Sequence, residues 1–269
     1  MQTGISTASL FLRKTTEEAL PCIQSLGVNN AEVFLTTFSE YSETFAQTVA
    51  KTKGQVRVYS VHTLNTHFEP QLFHVYDKTR ADAFYFLEEV LKSARVLGAD
   101  HYTFHGTARF KRGTQSGERD NFPAFIKGFQ DICTLCEKYG VTLCLENVEW
   151  ALYNRVGVFS TIAKEVPALG GVLDIKQARI SQIPYEKYLV EMGEKITHVH
   201  ISDVDENGKM CLPGKGTFAF DTLVKRLKDV GFTGKLFLEV YRDNYDTLDE
   251  LQRSCQYVDE ILYKNNCYL

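Results

Sequence analysis

Six side chains able to bind a divalent cation or move a proton recur along the chain at regular intervals: His62, His105, Glu146, Asp174, His200 and Glu239. The intervals are 43, 41, 28, 26 and 39 residues (105−62, 146−105, 174−146, 200−174 and 239−200). Each residue closes a short strand-like run, such as Val141-Thr-Leu-Cys-Leu-Glu146 or Lys235-Leu-Phe-Leu-Glu239. Side chains alternate along a strand, so one face can be read by steps of two. Cys144 and Thr142 share the face of Glu146, while Val141, Leu143 and Leu145 take the other. His198 and Ser202 go with His200, and Leu236 and Leu238 oppose Glu239. The polar ends therefore point one way and the aliphatic residues the other. Three carboxylates gathered at one place repel one another unless protons or a cation compensate them. A divalent ion held by the three carboxylates and one imidazole answers that charge. Mixed oxygen and nitrogen donors suit Mn2+, Mg2+, Co2+ or Zn2+.

The elements that must position these residues follow from the same rhythm. Two further strand-like runs, Gly4–Thr7 and Ala31–Leu35, bring the number to eight. Helical periodicity fills the gaps over Asp82–Leu97, Thr222–Val230 and Leu248–Leu262. Gly27, Gly98, Gly140 and Gly231 each stand just before a strand or its lead-in. Glycine there closes the preceding helix in a left-handed conformation. Eight βα units of this size predict an α/β fold, a single (β/α)8 barrel over residues 1–269. The competing doubly wound sheet would call for a glycine-rich phosphate fingerprint after the first strand, and none is present. In a barrel, the six polar residues would meet at the C-terminal mouth, where such folds carry their chemistry.

Composition narrows the functional classes. The 269 residues carry 30 Lys+Arg against 34 Asp+Glu, a net charge of −4, and are 44% hydrophobic. A nucleic-acid binder that relies on counterion release would carry a basic excess, so none is expected. No apolar run reaches the roughly 18 residues of a membrane span, and no secretory signal is visible at the start of the chain. Seven scattered cysteines fit reduced thiols and a cytoplasmic setting. Cys133 and Cys136 form a CxxC inside a helical pattern over Phe122–Tyr139 and read as buried helix residues rather than a zinc pair.

The chain resembles the xylose-isomerase-like TIM barrel superfamily, in its sugar phosphate isomerase/epimerase branch, which is related to the family-2 apurinic endonucleases. The resemblance is carried by Leu145-Glu-Asn147, Leu173-Asp-Ile-Lys-Gln-Ala178, His198-Val-His-Ile-Ser-Asp203, Leu212-Pro-Gly-Lys-Gly216 and Gly234-Lys-Leu-Phe-Leu-Glu-Val240. It implies one metal ion held by Glu146, Asp174, His200 and Glu239, with Glu146 and Glu239 as the acid/base pair. It also implies that His62 and His105 are substrate contacts, although the endonuclease branch uses these positions for a second metal. That branch's third metal site is missing, because Gln177, Lys209 and Cys211 stand where its ligands would be. The Arg and Glu that ketose 3-epimerases use for substrate contact are replaced by Glu206 and Leu152.

The expected reaction is metal-dependent isomerisation or epimerisation of a sugar or sugar phosphate, by proton transfer next to a carbonyl through an enediolate. His62, His105, Asn147 and Gln177 would position substrate hydroxyls, and His198 would hydrogen-bond in the layer below. Lys176, Lys215 and Arg242 lie just past strand ends, where a phosphate or carboxylate could meet them. The segment Thr107–Asn121, with Arg109, Lys111, Arg112 and Arg119, reads as a lid or as a solvated loop. A polyol or inosose dehydratase is the alternative, followed by an abasic-site endonuclease and a non-catalytic sugar-binding barrel. The partner expected is a small carbohydrate, with neither nucleic acid nor membrane; a homo-oligomer is compatible.

Overall fold

In the computed structural model, which describes residues 1–109 and 115–268, eight parallel strands close into a barrel. They are β1 (Gln2–Ser6), β2 (Asn30–Leu35), β3 (Arg57–Thr63), β4 (His101–Phe104), β5 (Thr142–Glu146), β6 (Gly170–Asp174), β7 (Ile196–Ile201) and β10 (Lys235–Leu238). The short hairpin β8 (Asp203–Val204) and β9 (Met210–Cys211) lies outside the ring. β1 pairs with both β2 and β10, which closes the circle. The helices lie between the strands in sequence: α1 (Thr16–Ser25), α2 (Glu43–Thr52), α3 (Asp77–Leu97), α4 (Gln115–Lys138) and α5 (Val158–Glu165). They continue with α6 (Ile175–Ile180), α7 (Tyr185–Met192), α8 (Phe220–Asp229) and α9 (Leu248–Lys264). Among the described residues no helix is long and apolar enough to cross a membrane.

The junction chemistry read from sequence is present. Gly98 caps α3 with φ 78°, and Gly27, Gly140 and Gly231 are also left-handed. The main core lies between the strands and the helices. Leu143 and Leu145 of β5, Val199 and Ile201 of β7, and Leu236 and Leu238 of β10 are fully buried there. The faces predicted as helix-facing are thus the ones that pack. Inside the barrel the floor is aromatic: Tyr59, His101, His198 and Phe237 touch edge to face, stacked or tilted, with centroids 4.3–6.1 Å apart. Gly4 of β1 makes room for it. A Cβ there would lie 2.5 Å from the Phe237 ring.

Two strands break the step-of-two reading. Between Ala31/Glu32 and Val58/Ser60 the register of β2 and β3 shifts, leaving Tyr59 as an extra residue. β6 and β7 shift in the same way around Thr197. A bulge of this kind turns two successive side chains toward one side. Both Tyr59 and Ser60 therefore reach barrel-interior partners, His198 and Glu32 respectively.

Candidate active site

Three of the six strand-end residues, Glu146, Asp174 and His200, bring ligand atoms within 4.8 Å of one another, and Glu239 adjoins them through His200 while also grouping with Glu32 and His62. His200 Nδ1 lies 2.9 Å from Glu146 Oε1 and 2.9 Å from Glu239 Oε2. Asp174 joins them: its carboxylate, that of Glu146 and a His200 nitrogen lie within 4.8 Å of one another. Asp174 also ends β6 and starts α6, so its Oδ1 accepts the Gln177 N–H at 2.8 Å as the helix N-cap. Two ligands of one octahedral ion stand about 3 Å apart at metal–oxygen bonds of about 2.1 Å. The donor spacing at His200 matches that. Glu239 Oε2 is buried without an aligned hydrogen bond, as an atom meant for a cation would be. The residues present therefore fit a divalent ion.

The electrostatics point the same way. Burial pushes Asp174 up to about 6, a rise that Lys176 opposes and Glu146 and Glu239 reinforce. Burial would raise Glu239 too, yet His200 and Lys176 hold it down at about 2. His200 is raised well above its ordinary value, because Glu239, Glu32 and Glu146 outweigh the burial that would lower it. Without a metal, a proton on the imidazole balances these carboxylates.

The two remaining strand-end residues form the adjoining wall. His62 Nε2 and His105 Nε2 are 3.1 Å apart, and His105 Nε2 also lies 2.9 Å from Glu146 Oε2. Burial would lower the His105 pKa, but the neighbouring carboxylates of Glu146 and Glu69 raise it to about 10. His62, His105 and Glu146 can themselves group around an ion. Phe34 packs on His62 and the ring of Trp150 on His105, with centroids 5.0 and 5.3 Å apart. Beside Phe34 a cleft of about 370 Å³ opens between the β1 and β2 ends, lined in part by Thr7, Phe11 and Thr36.

Two buried carboxylates escaped the strand-end reading. Glu32 of β2 is completely buried and sits in the barrel one layer below the mouth. Its carboxylate accepts from Ser6, Ser60 and Thr103 at 3.1, 2.7 and 2.7 Å. His200 Nε2 and His198 Nε2 lie 3.1 and 3.2 Å from it. Burial alone would raise its pKa, but these imidazoles and His62 hold it well below the carboxylate range. Its signal was a lone charge inside the apolar run Ala31-Glu-Val-Phe-Leu35, mid-strand rather than at the end. Glu69 lies in the 3-10 turn Glu69–Phe73, which has no periodicity to find. It accepts the His105 and Gly106 N–H groups, both at 3.0 Å, and so fixes the end of β4.

Other predicted contacts lie elsewhere. Asn147 is buried, but its amide is used on the backbone of Asp174, accepting N–H and donating to C=O at 2.8 Å each. It holds β6 to β5 rather than facing a substrate hydroxyl. Gln177 Oε1 accepts the Glu149 N–H at 3.2 Å, tying α6 to the loop after β5. Lys215 pairs with Glu250 of α9 at 3.0 Å and is half exposed. The reason is local: Asp203 accepts the N–H groups of Gly214, Gly216 and Phe218 and folds the Leu212–Gly216 loop around itself. Arg242 pairs with its neighbour Asp243. Lys176 turns inward against Asp174 and Glu239 at 3.5 and 3.6 Å instead of facing an incoming anion. In the supposed lid, Arg109 pairs with Glu149; Lys111 and Arg112, and the side chain of Arg119, lie outside the described residues. Cys133 and Cys136 are buried, and burial pushes Cys133 up to about 12.

Comparison with known proteins places this geometry. A family profile described as Xylose isomerase-like TIM barrel matches residues 21–261. No curated protein matches the sequence. Among solved structures, a D-psicose 3-epimerase with D-tagatose from Clostridium cellulolyticum H10 superposes with a TM-score of 0.77 at 16% identity, covering 100% of both chains. A D-tagatose 3-epimerase-like protein gives 0.79 at 18%, over 99% of this chain and 98% of that one. An IOLI protein with a binding zinc atom gives 0.77 at 16%, over 98% and 99%. At these identities the likeness establishes the fold.

Proposed function

Because the chain belongs to the xylose isomerase-like TIM barrel family, we propose that it is a divalent-metal-dependent isomerase or epimerase of a small carbohydrate. The observation that carries this reading is the gathering of Glu146, Asp174 and His200 within 4.8 Å, with Glu239 2.9 Å from His200, at the ends of four barrel strands. The epimerase names of two of the similar structures support the same reaction class.

In this reading Glu146, Asp174, His200 and Glu239 hold the ion. When bound, a divalent ion contributes Lewis acidity toward a carbonyl oxygen and an adjacent hydroxyl. Glu146 and Glu239 do the proton work. Their strands, β5 and β10, stand three steps apart in the ring of eight, so the two carboxylates approach a substrate from different sides. One takes the proton from the carbon next to the carbonyl and the other returns one. Return to the opposite face of the same carbon gives an epimer; return to the neighbouring carbon gives an isomer. Glu146 is steered by His105 at 2.9 Å, which keeps one carboxylate oxygen occupied and the other toward His200. His62 and His105 offer ring nitrogens to substrate hydroxyls, and the tilted rings of Phe34 and Trp150 flank that wall.

The test is solvent exchange. A panel of ketoses, aldoses and inososes in D2O with Mn2+ is followed by NMR. Deuterium at one C–H next to the carbonyl, abolished in Glu146→Gln and Glu239→Gln, is expected. Loss of water from the substrate would reassign the chemistry to a dehydratase. Exchange that is absent for every substrate, or that persists without metal, would refute the proposal.

A further inference from the structure

Lysine is among the residues least often buried, yet Lys176 is 7% exposed in the middle of the carboxylate cluster. It stands in the first turn of α6, two residues past Asp174. Its Nζ lies 3.5 Å from Asp174 Oδ2 and 3.6 Å from Glu239 Oε1. The ring of Tyr241 covers it, with the centroid 5.1 Å from Nζ. The other oxygens of the same carboxylates face different groups: Asp174 Oδ1 accepts the Gln177 N–H, and Glu239 Oε2 lies 2.9 Å from His200 Nδ1. Lys176 therefore spans two of the carboxylates assigned to the ion, and on Glu239 it takes the oxygen that His200 does not approach.

Charge decides what this does. Glu146, Asp174 and Glu239 together carry −3. Counting these ligands alone, Lys176 reduces that to −2, which one divalent cation brings to zero; His105 beside Glu146 and Glu32 beside His200 add one charge of each sign around them. Without the lysine the same ion would leave the centre at −1, and its positive charge would be more fully compensated by its ligands. We propose that Lys176 is a resident counter-cation of the metal centre. It sets the charge that one divalent ion neutralises and competes with that ion for Asp174 and Glu239. Metal affinity is thereby held below what the carboxylates alone would give, and more of the ion's charge is left to act on a carbonyl oxygen. It also keeps three adjacent carboxylates tolerable before the metal arrives.

The inference rests on the metal centre proposed above, and its test separates the two. Mn2+ binding to chelator-stripped protein is measured by calorimetry for the wild type, Lys176→Met and Lys176→Arg. Removing a fixed positive charge at this range predicts that Lys176→Met binds Mn2+ roughly ten-fold tighter or more, while Lys176→Arg stays near the wild type. Melting temperature gives a second readout: the gap between metal-free and Mn2+-saturated protein should widen in Lys176→Met. If metal-free Lys176→Met does not stay folded, the loaded protein is titrated with a chelator, and the same sign is expected. Unchanged or weaker binding in Lys176→Met would overturn the role of Lys176. No binding to any of the three proteins would instead overturn the metal centre itself.

Discussion

Replacing Glu32 by Gln removes one charge and almost no volume, at the residue on which the barrel interior converges. Three hydroxyls donate to the carboxylate, and two imidazole nitrogens lie within 3.2 Å of it. Oε1 faces Ser6 and His200; Oε2 faces Ser60, Thr103 and His198. Whichever way a glutamine amide is turned, its NH2 meets at least one hydroxyl that formerly donated and one imidazole nitrogen. A hydrogen bond to a charged partner is worth about 1.5–3 kcal/mol. Losing the shared charge of a buried network costs about 3–5 kcal/mol. That is a large part of the about 5–15 kcal/mol by which a typical fold is stable. Urea unfolding measures it directly. Trp150 is the only tryptophan and packs on His105, so its fluorescence reports on the mouth. The midpoint should fall with the slope unchanged. Because the Glu32 carboxylate faces the Nε2 side of the proposed ligand His200, Mn2+ affinity should also fall roughly 10- to 100-fold. A Glu32→Gln protein within about 1 kcal/mol of wild type, with unaltered Mn2+ affinity, would refute Glu32 as the charged hub of the barrel.

Three other perturbations test separate parts of the structure. Burial, with His198 nearby, depresses His101 to about 4, so it stays neutral in the fold at a pH where a free histidine is charged. The folded value lies below the unfolded one. Stability is therefore complete above about pH 6.5 and declines by about 3 kcal/mol as pH falls toward 4. In urea titrations across that range, His101→Gln should flatten the decline; an equally steep curve would contradict the assignment. Asn147→Ala removes both hydrogen bonds that hold the Asp174 backbone. Calorimetry should show roughly ten-fold weaker Mn2+ binding, and unchanged binding would mean that β6 keeps its place unaided. Gly4→Ala puts a Cβ 2.5 Å from the Phe237 ring and 2.7 Å from the Asn30 carbonyl. Thermal melting should reveal a loss of about 1–3 kcal/mol from overpacking.

Much of this architecture was legible because its signals are local. A strand run followed by a helix and a left-handed glycine is written in adjacent residues, and Gly27, Gly98, Gly140 and Gly231 all carry the backbone their position predicted. The strand-end residues were visible because each is the polar terminus of an apolar run. Glu32 was hidden by the same logic, since the layer beneath a barrel mouth is defined by partners on β1, β3, β4 and β7 that the sequence does not place beside it. Tyr59 and Thr197 reverse the expected phase because a bulge adds one residue without a compositional mark. The inward turn of Lys176 and the outward turn of Lys215 depend on tertiary neighbours, Asp174 and Glu239 for one and Glu250 for the other. Residue type and distance past a strand end could not tell the two lysines apart.

In the proposed metal centre, Glu146, Asp174, His200 and Glu239 make one site for one divalent ion. This ligand set is tested most directly by crystals grown with Mn2+ and measured for anomalous scattering at the manganese edge. A single strong peak per chain, bonded to those four side chains and lost in Asp174→Ala and His200→Ala, is the predicted result. A map with no peak among them, or with the ion held by His62, His105 and Glu146 instead, would overturn this ligand set.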